Sequence, residues 1–209
     1  MQAVLIEPHY LPSLEYFCAI QSFDHLILEK HEHYVKQSYR NRCYINTAHG
    51  VDRLVVPVKG RHGKVAFKDI RIEPSQRWRN NQWRTLQSAY AKAPFFEHYS
   101  EEINHMIFTR FELLFDLNRA VLSLCLQRLG MKKNISETVS YEREVPRDVF
   151  DLRSQINLRE PYSGRPFYQS SSYSQVFGNS FAGNLSLIDV LFCEGPNAFR
   201  ILKASEKKI

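Results

Sequence analysis

The chain of 209 residues is long enough for one domain with a sizeable core, and its 44% hydrophobic and 13% aromatic residues exclude a disordered chain. No window approaches the roughly 18 apolar residues of a membrane span. The amino terminus also lacks the basic and apolar regions of a signal peptide. Composition therefore predicts a cytoplasmic protein with no membrane span.

The net charge of +6 is concentrated in one segment. Residues 36–92 contain 13 lysines and arginines against 3 acidic residues, whereas the rest of the chain contains 15 against 19. A basic segment within an otherwise acidic chain predicts an anionic partner, such as a phosphate, a sugar nucleotide, an anionic lipid or a nucleic acid. A solvated surface without a ligand is the alternative that composition leaves open.

Candidate metal ligands are sparse. The four cysteines are scattered at positions 18, 43, 125 and 193 and form no C-x-x-C pair, which predicts reduced thiols rather than a disulfide or a zinc site. His31 and His33 have the spacing of a ligand pair, but no third ligand is evident nearby. We therefore predict no metal and no cofactor.

The first predicted element is a strand at residues 3–6, followed by a loop at residues 7–12 that contains two prolines. This loop carries Glu7, His9 and Tyr10, and a helix is predicted after Ser13, which suits an N-cap. Ligands of α/β proteins bind at the carboxyl ends of strands, so this arrangement predicts a ligand site. A proline-stiffened turn whose side chains only pack is the alternative.

Further strands are predicted at residues 24–29, 42–45, 54–58 and 67–72, and the basic turn at residues 59–64 is a possible phosphate cradle. Apolar residues at helical spacing then predict three helices within residues 83–129.

Beyond Gly130 the predicted elements are shorter. We expect a strand at residues 138–141, a short helix at 148–158 and a covering loop at 159–184. A last helix begins at Ser186 with a capping box formed by Ser186 and Asp189, and the chain then ends in a fraying basic tail from Ile201.

Together these elements predict a mixed α/β fold in a single domain of residues 1–209. Residues 1–74 would form the β-rich part with the strand–loop–helix ligand site. Residues 75–130 would be helical, and residues 131–209 would be rich in loops and end in a helix that caps the fold.

Several short motifs follow one another along the chain. They are P-H-Y-L-P at residues 8–12 with Tyr-Phe at 16–17, Y-V-K at 34–36 with Asn-Arg at 41–42, V-P at 56–57, Y-A-K-A-P-F-F at 90–96, and L-S-L-I-D-V-L-F at 185–192 followed by Gly195. In this ordered set, which spans nearly the whole chain, the sequence resembles the WbqC-like family. Two positions depart from the family pattern: Glu7 stands where glutamine is common, and Ser13 where many members have tryptophan.

The resemblance implies a transferase of glycine, or of another aminoacyl or acyl group, to a sugar in surface polysaccharide (O-antigen) biosynthesis. The residue chemistry predicts His9 as the general base, Glu7 as the group that orients it and Tyr10 as a hydrogen-bond donor. The candidate ligand-binding residues are Tyr16, Lys36, Arg40, Asn41, Arg42, Tyr90 and Lys92. The predicted partner is a phosphorylated sugar or a sugar nucleotide, and the sequence does not identify the donor. We expect His9, Tyr10 and Tyr16 to share one pocket with Lys36 and Arg42.

Two other functions stay open. A non-catalytic RNA- or polyanion-binding protein would combine the basic segment with interleaved aromatic residues, which are Tyr34, Tyr39, Tyr44, Trp78 and Trp83. No known RNA-binding motif is present, so nucleic acid is the less favoured partner. A nucleotidylyltransferase-like site around His9 is the third option, and the paired histidines of such sites are missing.

Overall fold

The computed structural model describes residues 2–59, 64–178 and 180–207, which form six β-strands and six α-helices. The elements in chain order are β1 (Ala3–Ile6), α1 (Leu14–Ile20), β2 (His25–Leu28), β3 (Arg42–Thr47), β4 (Gly50–Val55), α2 (Arg77–Tyr90), α3 (Phe96–Phe108), α4 (Leu114–Arg128), β5 (Asn134–Glu137), β6 (Val149–Asp151), α5 (Leu187–Glu194) and α6 (Ala198–Ala204). Short 3₁₀ helices lie at Phe67–Asp69, Tyr162–Gly164 and Gly195–Asn197.

Four strands form a parallel sheet in the order β5-β2-β1-β6. In the central strand β1, Val4 and Ile6 on one face and Leu5 on the other are all buried, as expected for a parallel strand that is covered on both faces. β1, α1 and β2 form a βαβ unit, the usual connection between neighbouring parallel strands. This sheet with its packed helices confirms the predicted mixed α/β fold.

The second sheet is the antiparallel hairpin of β3 and β4, which turns at Gly50 with a φ of +96°. Such a φ is costly for residues other than glycine, so the turn depends on Gly50. Helix α2 packs on this hairpin and on α3, while α5 packs on α3 and α6. Across the described ranges, no helix is long and apolar enough to cross a membrane.

Three predictions of local structure were wrong in the carboxyl-terminal third. β5 lies at Asn134–Glu137, upstream of the predicted 138–141, because it pairs along β2. The predicted helix at 148–158 is instead strand β6 and a loop, because residues 149–151 pair with β1 at the sheet edge. The predicted basic tail contains helix α6, whose Leu202 is fully buried.

Two further predicted strands, at residues 54–58 and 67–72 near the hairpin, differ from the structure. β4 ends at Val55, and Val58 forms only an isolated bridge with Ile72. The predicted strand at 67–72 begins as the 3₁₀ helix Phe67–Asp69, because the Phe67 amide donates to the Glu32 carbonyl rather than to a strand partner.

The predicted capping box at α5 does not form. Ser186 precedes the helix as expected, but its hydroxyl donates to the Leu11 carbonyl at 2.8 Å, which ties the end of the first loop to the start of α5. Asp189 is fully buried and accepts a hydrogen bond from the Tyr173 hydroxyl at 3.4 Å.

Candidate functional site

The carboxyl ends of all four parallel strands meet at one edge of the sheet, and each strand ends in polar residues. Glu7 follows β1, Glu29 follows β2, Thr138 follows β5, and Asp151 ends β6. The connection from β1 runs towards β2, while β6 lies on the other side of β1, so the strand order reverses between β1 and β6. Ligands of open α/β sheets bind at such a switch point.

Glu7, His9 and Arg40 form a buried cluster at this switch point. The three residues are only 1%, 1% and 3% exposed. Glu7 Oε1 lies 3.5 Å from His9 Nε2 and 3.2 Å from Arg40 Nη2. Its second oxygen, Oε2, accepts a hydrogen bond from the Ser154 amide beyond β6 at 3.0 Å. The loop after β1 is therefore held to the loop after β6 by one carboxylate.

The protonation states of this cluster follow from burial and charge. Burial would raise the pKa of Glu7, but the Arg40 charge, His9 and the Ser154 amide outweigh it and lower the pKa to about 2. Burial lowers the pKa of His9 below its usual 6.5, although Glu7 opposes that shift. Near pH 7 the site thus contains a carboxylate beside a neutral imidazole.

These states define the tautomer of His9. An ionised carboxylate only accepts hydrogen bonds, so the Nε2 atom that faces Glu7 carries the proton. The other ring nitrogen, Nδ1, then has a free lone pair, and it is buried without a hydrogen-bond partner among the described residues. This nitrogen can accept a proton from a substrate.

Arg40 contacts a second carboxyl group, that of Glu32, as well as Glu7. Glu32 accepts a short hydrogen bond from Arg40 Nη2, which also contacts Glu7. Burial raises the pKa of Glu32 to about 7; Arg40 opposes the rise, and the charges of Glu7 and Glu29 add to it. One buried guanidinium therefore lies between two carboxyl groups, of which Glu7 holds its charge more firmly.

Glu7→Gln tests whether the carboxylate charge stabilises the fold. The pKa of Glu7 is lowered from 4.5 to about 2, so its contribution is fully present above pH 4.5 and is lost as the pH falls towards 2. The amide still accepts from Ser154, and we expect the free energy of unfolding at pH 7 to fall by about 1–3 kcal/mol. Urea unfolding should show this deficit shrinking between pH 7 and pH 3, with the exposed Glu101→Gln as control. A deficit independent of pH would contradict the prediction.

Aromatic rings enclose the imidazole of His9. The Tyr39 ring stacks on it with centroids 5.3 Å apart, and the Tyr16 ring lies tilted at 4.8 Å. The Tyr16 hydroxyl is buried without a hydrogen-bond partner among the described residues, and burial with the nearby Glu7 charge raises its pKa well above 10. Tyr16 is therefore a protonated donor beside His9.

Tyr10, the donor predicted from the sequence, points elsewhere. Its hydroxyl donates to Gln82 Oε1 on α2 at 2.6 Å, and its ring lies in the core. The backbone of Tyr10 contributes more directly, because its amide donates to the Tyr39 carbonyl at 2.9 Å and so joins the first loop to residues 39–42.

Asn118 on α4 holds the same two segments together. Its Nδ2 donates to the Pro8 carbonyl at 3.0 Å and to the Arg40 carbonyl at 2.7 Å. The sequence predicts it as one residue of an apolar helical stripe, and sequence reasoning missed its role. Its polarity at a fully buried stripe position is the signal that could have found it.

Three of the seven predicted ligand-binding residues line a separate surface cleft of about 230 Å³. Lys36, Asn41 and Arg42 belong to its lining, and none of the described lining residues is acidic. Lys36 is exposed and Arg42 is half-buried, while the Asn41 side chain donates to the Val56 carbonyl at 3.0 Å. His9, Tyr10 and Tyr16 are not in that lining, so the structure divides the candidates between a cleft and a buried cluster.

Two candidates lie away from both places. The Tyr90 hydroxyl accepts a hydrogen bond from the Asn46 amide at 3.2 Å and borders Asp189, and Lys92 is exposed after α2. The possible phosphate cradle at 59–64 falls mostly on residues 60–63, outside the described residues. Where the structure describes the chain, no group of three or more His, Cys, Asp or Glu residues could hold a metal, and the four cysteines are buried and unpaired.

Sequence reasoning missed most of the charge pairs that surround the cluster. Arg165 forms a two-pronged contact with the fully buried Glu15 of α1, at 2.5 and 2.8 Å. Arg153 lies 3.4 Å from the buried Glu29. The two members of each pair are separated by more than a hundred residues, so no local pattern could reveal them.

The profile of the WbqC-like protein family matches residues 7–166, from the first loop through β6. The chain is also 28% identical to the uncharacterized protein Rv1507c of Mycobacterium tuberculosis, over 94% of this chain and 95% of the other. No solved structure matches it. The length of the profile match shows that the chain belongs to the WbqC-like protein family.

Proposed function

We propose that the protein is a transferase that moves an aminoacyl or acyl group to a phosphorylated sugar, in the biosynthesis of surface polysaccharide. The family name supports a role in surface polysaccharide biosynthesis, and the buried cluster of Glu7, His9 and Arg40 supports the transfer chemistry. The observation that carries the proposal is the ionised Glu7 beside a neutral His9 whose Nδ1 has a free lone pair. Such a pair is what general-base catalysis requires near neutral pH.

In the proposed reaction, His9 Nδ1 takes the proton of an attacking amine or hydroxyl on the acceptor sugar. The freed lone pair attacks the carbonyl carbon of the donor, and as the carbonyl reforms the leaving group departs with the proton that His9 Nδ1 returns to it. Glu7 stabilises the imidazolium that forms meanwhile, and Arg40 holds Glu7 in place. Tyr16, rather than Tyr10, is the proposed donor to the developing oxyanion.

The cleft would receive the phosphate of the acceptor. Tyr39 stacks on His9, and Arg42 lines the cleft three residues later, so their Cα atoms are at most about 11 Å apart. A phosphorylated sugar spans such a distance, with its phosphate at Lys36 and Arg42 and its reacting group near His9. Because His9 is 1% exposed, the segment at Tyr39 has to shift for the sugar to reach it.

Three of the five aromatic residues that suggested a nucleic-acid groove pack against other groups of the protein. Tyr39 packs on His9, and Trp83 stacks on Phe96 with centroids 6.1 Å apart. Trp78 is only 8% exposed, and its indole nitrogen donates to the Glu73 carbonyl. Bases need exposed rings for stacking, so this packing favours a small phosphorylated ligand.

The experiment that tests the proposal passes a bacterial metabolite extract over the purified protein and identifies retained compounds by mass spectrometry. Retention of phosphorylated sugars or sugar nucleotides is the expected result. Each retained compound is then offered with aminoacyl and acyl donors, and His9→Gln should abolish product formation while binding persists. If no phosphorylated compound is retained, or if His9→Gln turns over normally, the proposal fails.

Arg42→Lys distinguishes a small ligand from a polyanion. A bidentate fork becomes a point charge, so affinity for the retained phosphorylated sugar should fall about tenfold although charge is conserved. Arg53→Lys, an exposed change on β4, is the matched control. Affinity for a labelled oligonucleotide is measured at two salt concentrations in parallel. Two results together would overturn the transferase proposal. Arg42→Lys would bind as wild type does, and oligonucleotide affinity would fall steeply with salt, by about 0.7–0.9 log units per log unit of salt for each of many neutralised phosphates.

A further inference from the structure

A second basic cavity lies apart from the buried cluster of Glu7, His9 and Arg40, beside the loop between α3 and α4. It has a volume of about 440 Å³, and its charged lining residues are Lys59, Arg71, Arg79, Arg110 and Glu112. Glu112 is paired with Arg71 at 3.1 Å, and the other three cations that line the cavity have no carboxylate partner among the described residues. Cavities of this size hold small-molecule ligands.

Arg79 is the unusual member of this group because it is a buried cation. The residue is 5% exposed, and within the described ranges its guanidinium makes no ion pair with a carboxylate. Its Nε donates to the Ile107 carbonyl in the last turn of α3 at 3.0 Å, and its guanidinium lies 4.5 Å from the Trp78 ring. Backbone carbonyls and a ring face orient this charge without neutralising it, whereas buried charges are generally paired.

Arg110 places a second guanidinium beside the first. It is exposed, and it makes no hydrogen bond or ion pair with the rest of the described chain. Both arginines line the cavity, where burial lowers the pKa of Arg79 and the Arg110 charge lowers it further. Two adjacent guanidinium groups repel each other until an anion lies between them.

We propose that this cavity is a binding site for a compact phosphate-bearing ligand, of the phosphate or diphosphate class. Arg79 and Arg110 would bind the phosphate oxygens through their paired N–H groups, and Lys59 would add a point charge at the rim. The site is independent of the proposed transferase reaction, since it shares no residue with the cleft at Lys36 and Arg42. A cavity of about 440 Å³ with one buried cation suits a small anion better than an extended polymer.

Calorimetric titration with pyrophosphate and with inorganic phosphate tests the proposal. Wild type should bind pyrophosphate, and Arg110→Gln should weaken binding at this site about tenfold or more, because a charge-assisted pair of hydrogen bonds is lost. Arg84→Gln is the matched control, since it removes an exposed cation from the same helix as Arg79 and outside the cavity. It should change affinity less than about twofold.

Further variants separate this site from the cleft and guard against misfolding. Arg79→Lys keeps the buried charge but loses the fork, and Lys59→Gln alters only the exposed rim; both should weaken pyrophosphate binding while circular dichroism remains native. Arg42→Gln should retain the pyrophosphate binding that Arg110→Gln loses. The proposal is overturned if wild type binds no pyrophosphate, if Arg110→Gln binds as wild type does, or if Arg42→Gln alone removes all binding.

Discussion

Replacing Arg165 by methionine is expected to lower the free energy of unfolding by about 3–5 kcal/mol, as when one partner of a buried ion pair is removed. Arg165 is 7% exposed and Glu15 is not exposed at all. The guanidinium contacts both carboxylate oxygens, and its Nη1 also donates to the Asn157 and Glu160 carbonyls. Without it, Asn184 is the one side-chain partner left to the Glu15 carboxylate among the residues that the structure describes.

The cost should come from the uncompensated carboxylate rather than from the lost contact. The double variant Glu15→Gln with Arg165→Met should therefore recover part of the stability that Arg165→Met loses. Arg71→Met is the matched control, because its pair with Glu112 is 66% and 83% exposed and should contribute no more than about 1 kcal/mol. Urea unfolding of the four proteins measures these differences. A double variant as unstable as Arg165→Met would contradict this explanation.

This ion pair also has a role in placing the site. Glu15 lies on α1, directly after the loop that carries Glu7 and His9, whereas Arg165 lies in the long segment after β6. The Asn184 side chain adds a second link, since its Oδ1 accepts from the Glu15 amide at 3.0 Å. Residues 159–184, which the sequence predicted as a covering loop, are thus held to the start of α1.

The sequence predicted the parts of the fold that have a local signal. β1 and α1 were predicted because an apolar run, two prolines and a helical stripe follow one another directly. β6 was missed because Val149–Asp151 has only three residues and becomes a strand through pairing with β1. Its edge position gives it no apolar alternation that periodicity could detect.

The candidate site shows the same division. Glu7 and His9 were predicted because they share one short loop at a strand end. Arg40 was predicted only as a phosphate ligand, whereas the structure places it between Glu7 and Glu32. Burial and long-range pairing decide between those roles, and neither can be obtained from residue spacing.

The same limit applies to Asp189, which the sequence presented as a capping residue. Asp189 lies in the first turn of α5, but its side chain makes no cap and is buried in the core, where the Tyr173 and Tyr90 hydroxyls contact it. No cation pairs with it among the described residues, and its Oδ2 has no hydrogen-bond partner there. Burial consequently raises the pKa of Asp189 from 3.8 to about 7, although the two tyrosines oppose the rise.

A raised carboxyl pKa destabilises the fold as the pH increases. Between 3.8 and about 7 the folded protein binds a proton at Asp189 that the unfolded chain has released, so stability falls with rising pH and is level above 7. The loss at this one residue is on the order of 4 kcal/mol, because a tenfold change in a proton-binding constant corresponds to about 1.4 kcal/mol. Asp189→Asn should remove it, because the amide never ionises.

Relative to wild type, Asp189→Asn should therefore gain about 4 kcal/mol of unfolding free energy between pH 4 and pH 8. The amide nitrogen replaces an oxygen without a partner, which costs about 1–3 kcal/mol at every pH, so the change with pH is the quantity to compare. Urea unfolding at the two pH values measures it, and the exposed Asp52→Asn serves as control. The contribution of Glu32 to the unfolding free energy also falls as the pH rises, because its pKa is raised as well. This fall is equal in both proteins and cancels in the difference. If the difference between variant and wild type is the same at pH 4 and pH 8, Asp189 is ionised throughout and its charge is neutralised in the core.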